Sequence, residues 1–496
     1  MSVALAAPHP AAIRAGREAV EAGGNAVDAA LAAAVMLAVV YPHQCAIGGD
    51  LIALIRSPEG ETTSVLAAGA APAAIEDVAS GWSEVPRAGA HAVTVPGMFA
   101  GWRALAALGG SAPLAAALER AAVIAREGSP VSAGLARALQ SRADAVYADA
   151  GLRAVFAAEG DLLAEGDVFT QLALARTLEA LAVDPDSFYR GTIAAALVRA
   201  LQADGGVHLE HDFASYRPEV GPALSRIIGR DTWTVAPPPS GGAILLGVVS
   251  EASRDQAATP ARLLDAAVRG MRTRSALLAD PRSVDVDIDA LLALGGPTEI
   301  PPGEPRPQGD TAAVVATDAA GWSVTIVQSV YQTFGAGLLD PETGVLFHNR
   351  GSAFSADPAH PARIRPGARP PHTLTPAIVD AGEITVVAGC QGGRAQPWIL
   401  AQLLPDTLDT SVSLDDVLDR PRWVVGDRDL GHDSITLVTE PGVSAELSGV
   451  ARELGIGEAA FPGPADEAGH VQLVRRGGGR LEAASDPRAD GAGVVI

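Results

Sequence analysis

The stretch Gly309-Asp310-Thr311-Ala312-Ala313-Val314-Val315-Ala316-Thr317 decides the fold. Residues 311–317 are small and β-branched and read as a strand. They follow a segment, residues 295–309, that holds Pro297, Pro301, Pro302, Pro305 and Pro307 with glycine at both ends, which predicts an exposed loop or linker. Beyond the turn Asp318-Ala319-Ala320-Gly321, residues 322–329 (WSVTIVQS) form a second strand. A later strand, 384–388, ends in Gly389-Cys390-Gln391-Gly392-Gly393. Upstream the period is helical. Pro10 suits a first helical turn, and Ile13 and Val20 share one face before Gly23-Gly24. Asn25 can cap the next helix, which carries an apolar run from Ala29 to Tyr41 and stops at Pro42. Residues 51–55 read as a short buried strand behind the turn Gly48-Gly49-Asp50. Residues 101–203 are mostly helical, with amphipathic segments near 113–126 and 171–181. Residues 232–236 form a strand ahead of a Pro-Pro-Pro-Ser-Gly-Gly loop (237–242), and 261–277 a helix. The class is α/β, with helices outside and a largely antiparallel sheet inside.

Composition narrows the function. The 496-residue chain carries 58 acidic and 36 basic side chains, a net charge of -22, which argues against a nucleic-acid partner. Every basic residue is Arg, so no lysine is available as a base. The longest apolar run falls short of the ~18 residues of a spanning helix. No basic, apolar leader opens the chain, so the expected setting is cytoplasmic and no membrane partner is expected. Cys45 and Cys390 cannot form a disulfide scaffold for this length. No metal-ligand spacing, P-loop or dinucleotide motif is present, and no cofactor is expected.

Gly-Asp-Thr is a common turn into a strand, and on its own says nothing about chemistry. If Thr311 became an N-terminus, its hydroxyl would lie beside its own α-amine. An α-amine has a reference pKa of about 7.7–8.0, close enough to neutrality to act as general base.

Further markers point the same way. Residues 23–30 (GGNAVDAA), 39–43 (VVYPH), 47–50 (IGGD), 95–97 (VPG) and 237–242 run in order with Thr333-Phe334-Gly335, Phe354-Ser355, 369–376 and Gly392-Gly393. Across roughly residues 8 to 400 the chain thereby resembles the γ-glutamyltransferase family. The resemblance implies an N-terminal-nucleophile hydrolase with a four-layer αββα sandwich. It implies a precursor that cuts itself between Asp310 and Thr311 into a large subunit, 1–310, and a small subunit, 311–496. The two would stay together as one structural domain, with a higher oligomer left open. Thr311 would be the nucleophile, Gly392 and Gly393 the oxyanion hole, and Ser329 would stand where the family keeps a second Thr. Glycine suits an oxyanion hole, since a bare backbone lets two N–H groups converge.

The departures bear on substrate. Where the family has an Arg for the γ-glutamyl carboxylate, this chain has Ala68; for the ammonium it has Ala353. Tyr331 replaces an Asn, and His372 and Thr373 replace tandem serines. Losing contacts to both charges of the head group argues against true γ-glutamyl transfer. Asn349-Arg350-Gly351, Asp50 and 372–376 (HTLTP) look like the cytoplasmic branch that includes oxamate amidohydrolase-like proteins. Arg350 is expected to bind a carboxylate of a small acidic acyl substrate, with Tyr331, His372 and Thr373 beside it. The alternative for Arg350 is a surface or structural ion-pair role, and for His372 a structural one. For the protein they are C–C or acyl hydrolysis in secondary metabolism, true γ-glutamyl transfer, and an uncleaved pseudoenzyme.

Overall fold

The computed structural model describes residues 2–254, 258–298 and 309–496, and for Gly309 and Asp310 the backbone alone. Residues 299–308 of the proline-rich loop lie outside the described residues.

Two antiparallel sheets organise the chain. The first runs, edge to edge, Ala492–Val495, Val3–Ala7, Gly309–Asp318, Ser323–Gln332, Asp50–Arg56, Thr62–Ala67 and Glu219–Pro222. The second runs Arg480–Ser485, Val471–Gly477, Ile384–Cys390, Ala377–Ala381, Asp231–Val235 and Leu224–Ile228. Each sheet therefore combines strands from before and after Asp310.

Strand side chains alternate between faces, and the core divides accordingly. Ala312, Val314 and Ala316 join Leu51, Ala53 and Ile55 in a cluster with the helices Pro10–Glu21 and Ala26–Val40. Their neighbours Ala313 and Val315 join Ile52, Leu54 and Val327 in a cluster shared with Ile378, Val387 and Val474 of the second sheet. The far face of that sheet, Val379, Val386 and Ala388, packs with helices Gly242–Ala252 and Pro260–Leu277. The helix Ala26–Val40 is buried along its whole length, which explains its Ala-rich, unpatterned sequence. Asn25 and Asp28 close its N-terminus as a reciprocal capping box.

The expected helices and strands are all present with shifted ends. The strand expected over 322–329 begins one residue later and runs to Gln332, and the one expected over 384–388 runs to Cys390. Among the described residues, no helix is long and apolar enough to cross a membrane.

Candidate active site

Thr311 sits at a fault in its own sheet. The ladder pairs Asp310 with Tyr331 and Ala312 with Gln328, so Thr311 alone opposes Ser329 and Val330. Such a bulge re-aims a side chain at the end of a strand. Thr311 Oγ1 donates to Ser329 Oγ at 3.2 Å, and both residues are buried. Tyr331 N–H donates to the same Ser329 oxygen at 2.8 Å. The chain pays for this geometry at Tyr331, whose φ of 78° lies in the left-handed region that a side chain disfavours.

Ser329 lies on the face that carries Thr325 and Val327, and Thr325 Oγ1 donates to Ala388 O of the second sheet at 2.9 Å. The sheets approach closely here: a Cβ on Gly389 would stand 2.8 Å from the Ala313 Cβ. The strand Ile384–Cys390 leads into the glycine turn, and the turn Gly393–Ala395 packs on the strand Gly309–Asp318, which carries Thr311. Gly392 and Gly393 have φ of 141° and 53°, both in the positive region that glycine adopts freely.

Arg350 is 1% exposed. Its guanidinium carbon stands 3.8 Å from the Tyr331 ring centroid, and Nη2 donates to Thr373 Oγ1 at 3.3 Å. An arginine stacked on an aromatic ring is held in a fixed plane, ready for a planar carboxylate. The sequence allowed a surface role for Arg350, and its burial rules that out. Asn349 fixes the approach to it, accepting from Gln332 N–H at 3.1 Å and donating to Gln332 Oε1 at 2.7 Å.

Two further residues enter that sequence reasoning had not assigned. Asp50 is fully buried and pairs across the sheet with Ser329. Its Oδ1 accepts from Gly69 and Gly97 N–H at 3.0 and 3.2 Å, and its Oδ2 lies 3.3 Å from both His348 Nδ1 and His372 Nε2. Burial alone would raise the Asp50 carboxyl; the two facing imidazoles outweigh it and hold the group below the usual carboxylate range. His372 is pushed down to about 3, first by burial and then by the Arg350 charge, against the pull of Asp50. The ring is therefore neutral near pH 7, and its tie to Asp50 is a hydrogen bond rather than an ion pair. His348 continues the network to Thr94 O at 2.9 Å. The available signal was a polar residue in an apolar setting: Asp50 heads the run 51–55, and His348 ends the run 345–347.

The contacts close on themselves. Thr311 touches Ser329, which holds Tyr331; Tyr331 carries Arg350, which reaches Thr373; adjacent His372 returns through Asp50 to Ser329. Thr311, Ser329, Tyr331, Arg350, His372 and Thr373 are brought together here, while Gly392 and Gly393 lie in the turn after the strand Ile384–Cys390, outside this circuit. Cys390 is buried and its thiol is pushed up by burial, as befits a packing residue.

Comparisons with known proteins agree with this architecture. The family model for Gamma-glutamyltranspeptidase matches residues 12–496, so the likeness reaches well past residue 400. The oxamate amidohydrolase proenzyme of Klebsiella pneumoniae is 35% identical, covering 98% of this chain and 97% of that one. The glutathione hydrolase-like YwrD proenzyme of Bacillus subtilis is 32% identical, covering 99% and 98%. Among solved structures, the cephalosporin acylase from Bacillus halodurans superposes with a TM-score of 0.88 at 29% identity, covering 99% of this chain and 95% of that one. The chain belongs to the γ-glutamyltranspeptidase family of N-terminal-nucleophile hydrolases.

Proposed function

We propose that the protein is a self-cleaving amidohydrolase that acts on an amide of a small carboxylate-bearing acid. The observation that carries this reading is the buried Arg350, joined through Tyr331 to the serine that holds Thr311 Oγ1. The oxamate amidohydrolase proenzyme among its relatives supports the same substrate class.

In maturation, Thr311 Oγ attacks the Asp310 carbonyl and the peptide nitrogen leaves as the new Thr311 amine. Water then hydrolyses the resulting ester and leaves Asp310 as a carboxylate. In turnover, the Thr311 amine takes the Oγ proton as Oγ attacks the substrate carbonyl. Gly392 and Gly393 N–H groups steady the oxyanion, and the amine returns the proton to the leaving nitrogen. Water releases the acid from Thr311. The substrate carboxylate is held by Arg350 and Thr373.

On this reading the fragments 1–310 and 311–496 stay associated, because their strands interleave in both sheets. The same partition of strand faces supports a four-layer αββα sandwich. The acyl amide of a β-lactam side chain is the second candidate substrate, favoured by the likeness to a cephalosporin acylase, and a glutaryl amide serves as its probe. A panel of oxamate, a glutaryl amide and a γ-glutamyl anilide decides among them. Hydrolysis of an acid amide with little γ-glutamyl turnover is the expected result. Preferred γ-glutamyl turnover would overturn the substrate assignment.

A further inference from the structure

His372 offers something the chemistry above leaves unused. Its Nε2 lies 3.3 Å from Asp50 Oδ2, and an ionised carboxylate can only accept, so Nε2 carries the proton. The neutral ring then presents a lone pair at Nδ1. That atom is buried and has no hydrogen-bond partner among the described residues. A buried acceptor left without a donor costs free energy, which a ligand's N–H can recover. The ring belongs to the residue before Thr373, which receives the Arg350 guanidinium, and the Arg350 charge is felt at the ring. Asp50 cannot turn to release the ring, since Gly69 and Gly97 N–H groups hold its other oxygen.

We propose that Asp50 locks His372 as a fixed hydrogen-bond acceptor for an N–H of the bound substrate, so that the site selects an amide over an ester of the same acid. The inference rests on the proposed amidohydrolase activity and narrows its substrate class to amides that keep a free N–H. His372 is then a specificity residue that touches substrate, and Asp50 is a positioning residue acting through it. A doubly substituted amide nitrogen has no proton to offer and is a poor substrate for the same reason as an ester.

The test uses the purified full-length protein and a matched pair, the primary amide and the methyl ester of whichever acid of the panel the wild type hydrolyses. For oxamate the partner is monomethyl oxalate. In His372→Ala, kcat/KM for the amide is expected to fall at least tenfold further than kcat/KM for the ester, the size of one buried hydrogen bond. His372→Asn, whose amide oxygen can stand near the Nδ1 position, is expected to recover part of the amide rate. Asp50→Asn, which frees the tautomer, should lower the amide-to-ester ratio in the same direction. An equal fall for both substrates would mean that His372 serves Thr311 or the fold, and would overturn the inference alone. Loss of self-cleavage in both His372 variants would place the ring in processing and overturn it too. A cleaved wild type that hydrolyses no acid amide would overturn the function proposed above, and this inference with it.

Discussion

Thr311 Oγ1 rests 3.2 Å from Ser329 Oγ across a bulge that gives Thr311 two residues to face instead of one. In a regular ladder Thr311 would be one more β-branched residue in the middle of a sheet. The bulge, with the strained Tyr331 that shares the Ser329 oxygen, makes this hydroxyl different from that of Thr325, which donates to an ordinary backbone carbonyl.

Ser329→Ala removes the partner of the Thr311 hydroxyl but leaves the bulge. Self-cleavage and turnover should both slow by roughly 10- to 100-fold, the usual range for a lost positioning or proton-handling contact. Ser329→Thr keeps the oxygen and should restore most of both. Time courses of fragment formation on denaturing gels read the first effect, and steady-state kinetics the second.

Arg350→Ala is expected to raise KM for acidic substrates by about 100-fold with self-cleavage retained, because a charge-assisted contact to the carboxylate is lost. Arg350→Lys should recover little, since a lysine cannot offer the paired planar donors. Unchanged kinetics in Arg350→Ala would assign the residue to the fold.

Acid should unfold the protein early. His9 and His208 are pushed down to about 4, and His43 and His372 to about 3, with burial the leading cause in each. In the unfolded chain these rings titrate near 6.5, so between about pH 6.5 and 4 the unfolded state binds more protons. Stability therefore falls as pH falls, by at most about 1.4 kcal/mol per pH unit for each ring. Asp50, held low by its partners, adds a loss of the same sign at lower pH. Urea unfolding at pH 7.5 and 5.5 measures this, and equal midpoints would contradict it.

Gly389→Ala tests the spacing of the sheets. Its new Cβ would stand 2.8 Å from Ala313 Cβ and 3.1 Å from Thr325 Oγ1, with the backbone of two sheets behind them. A loss of about 1–3 kcal/mol is expected, typical of overpacking. Thermal melts of the two proteins provide the measurement, and an unchanged midpoint would mean that the sheets part freely.

Much of the fold was legible because its local signals agree with its tertiary use. Asn25 capped the helix it was expected to cap, and the strands flanking 318–321 alternate as their two buried faces require. The strand Val3–Ala7 escaped notice because it is buried on both faces, and VALAA carries no alternation to mark it. The family resemblance implied roles for Thr311, Ser329 and the glycine pair, residues that lie on or just after different strands. They did not reveal the Asp50–His372 contact, which joins residues 322 positions apart. Nor does any local pattern announce the bulge opposite Ser329 and Val330, or the uncommon backbone angle of Tyr331 beside it.

Intact mass of the purified protein after incubation tests the central claim most directly. Two fragments that break between Asp310 and Thr311 are predicted for the wild type, and one full-length species without amide hydrolysis for Thr311→Ala. A wild-type chain that stays whole, or a Thr311→Ala variant that still cleaves at this bond or still turns over substrate, would contradict the account.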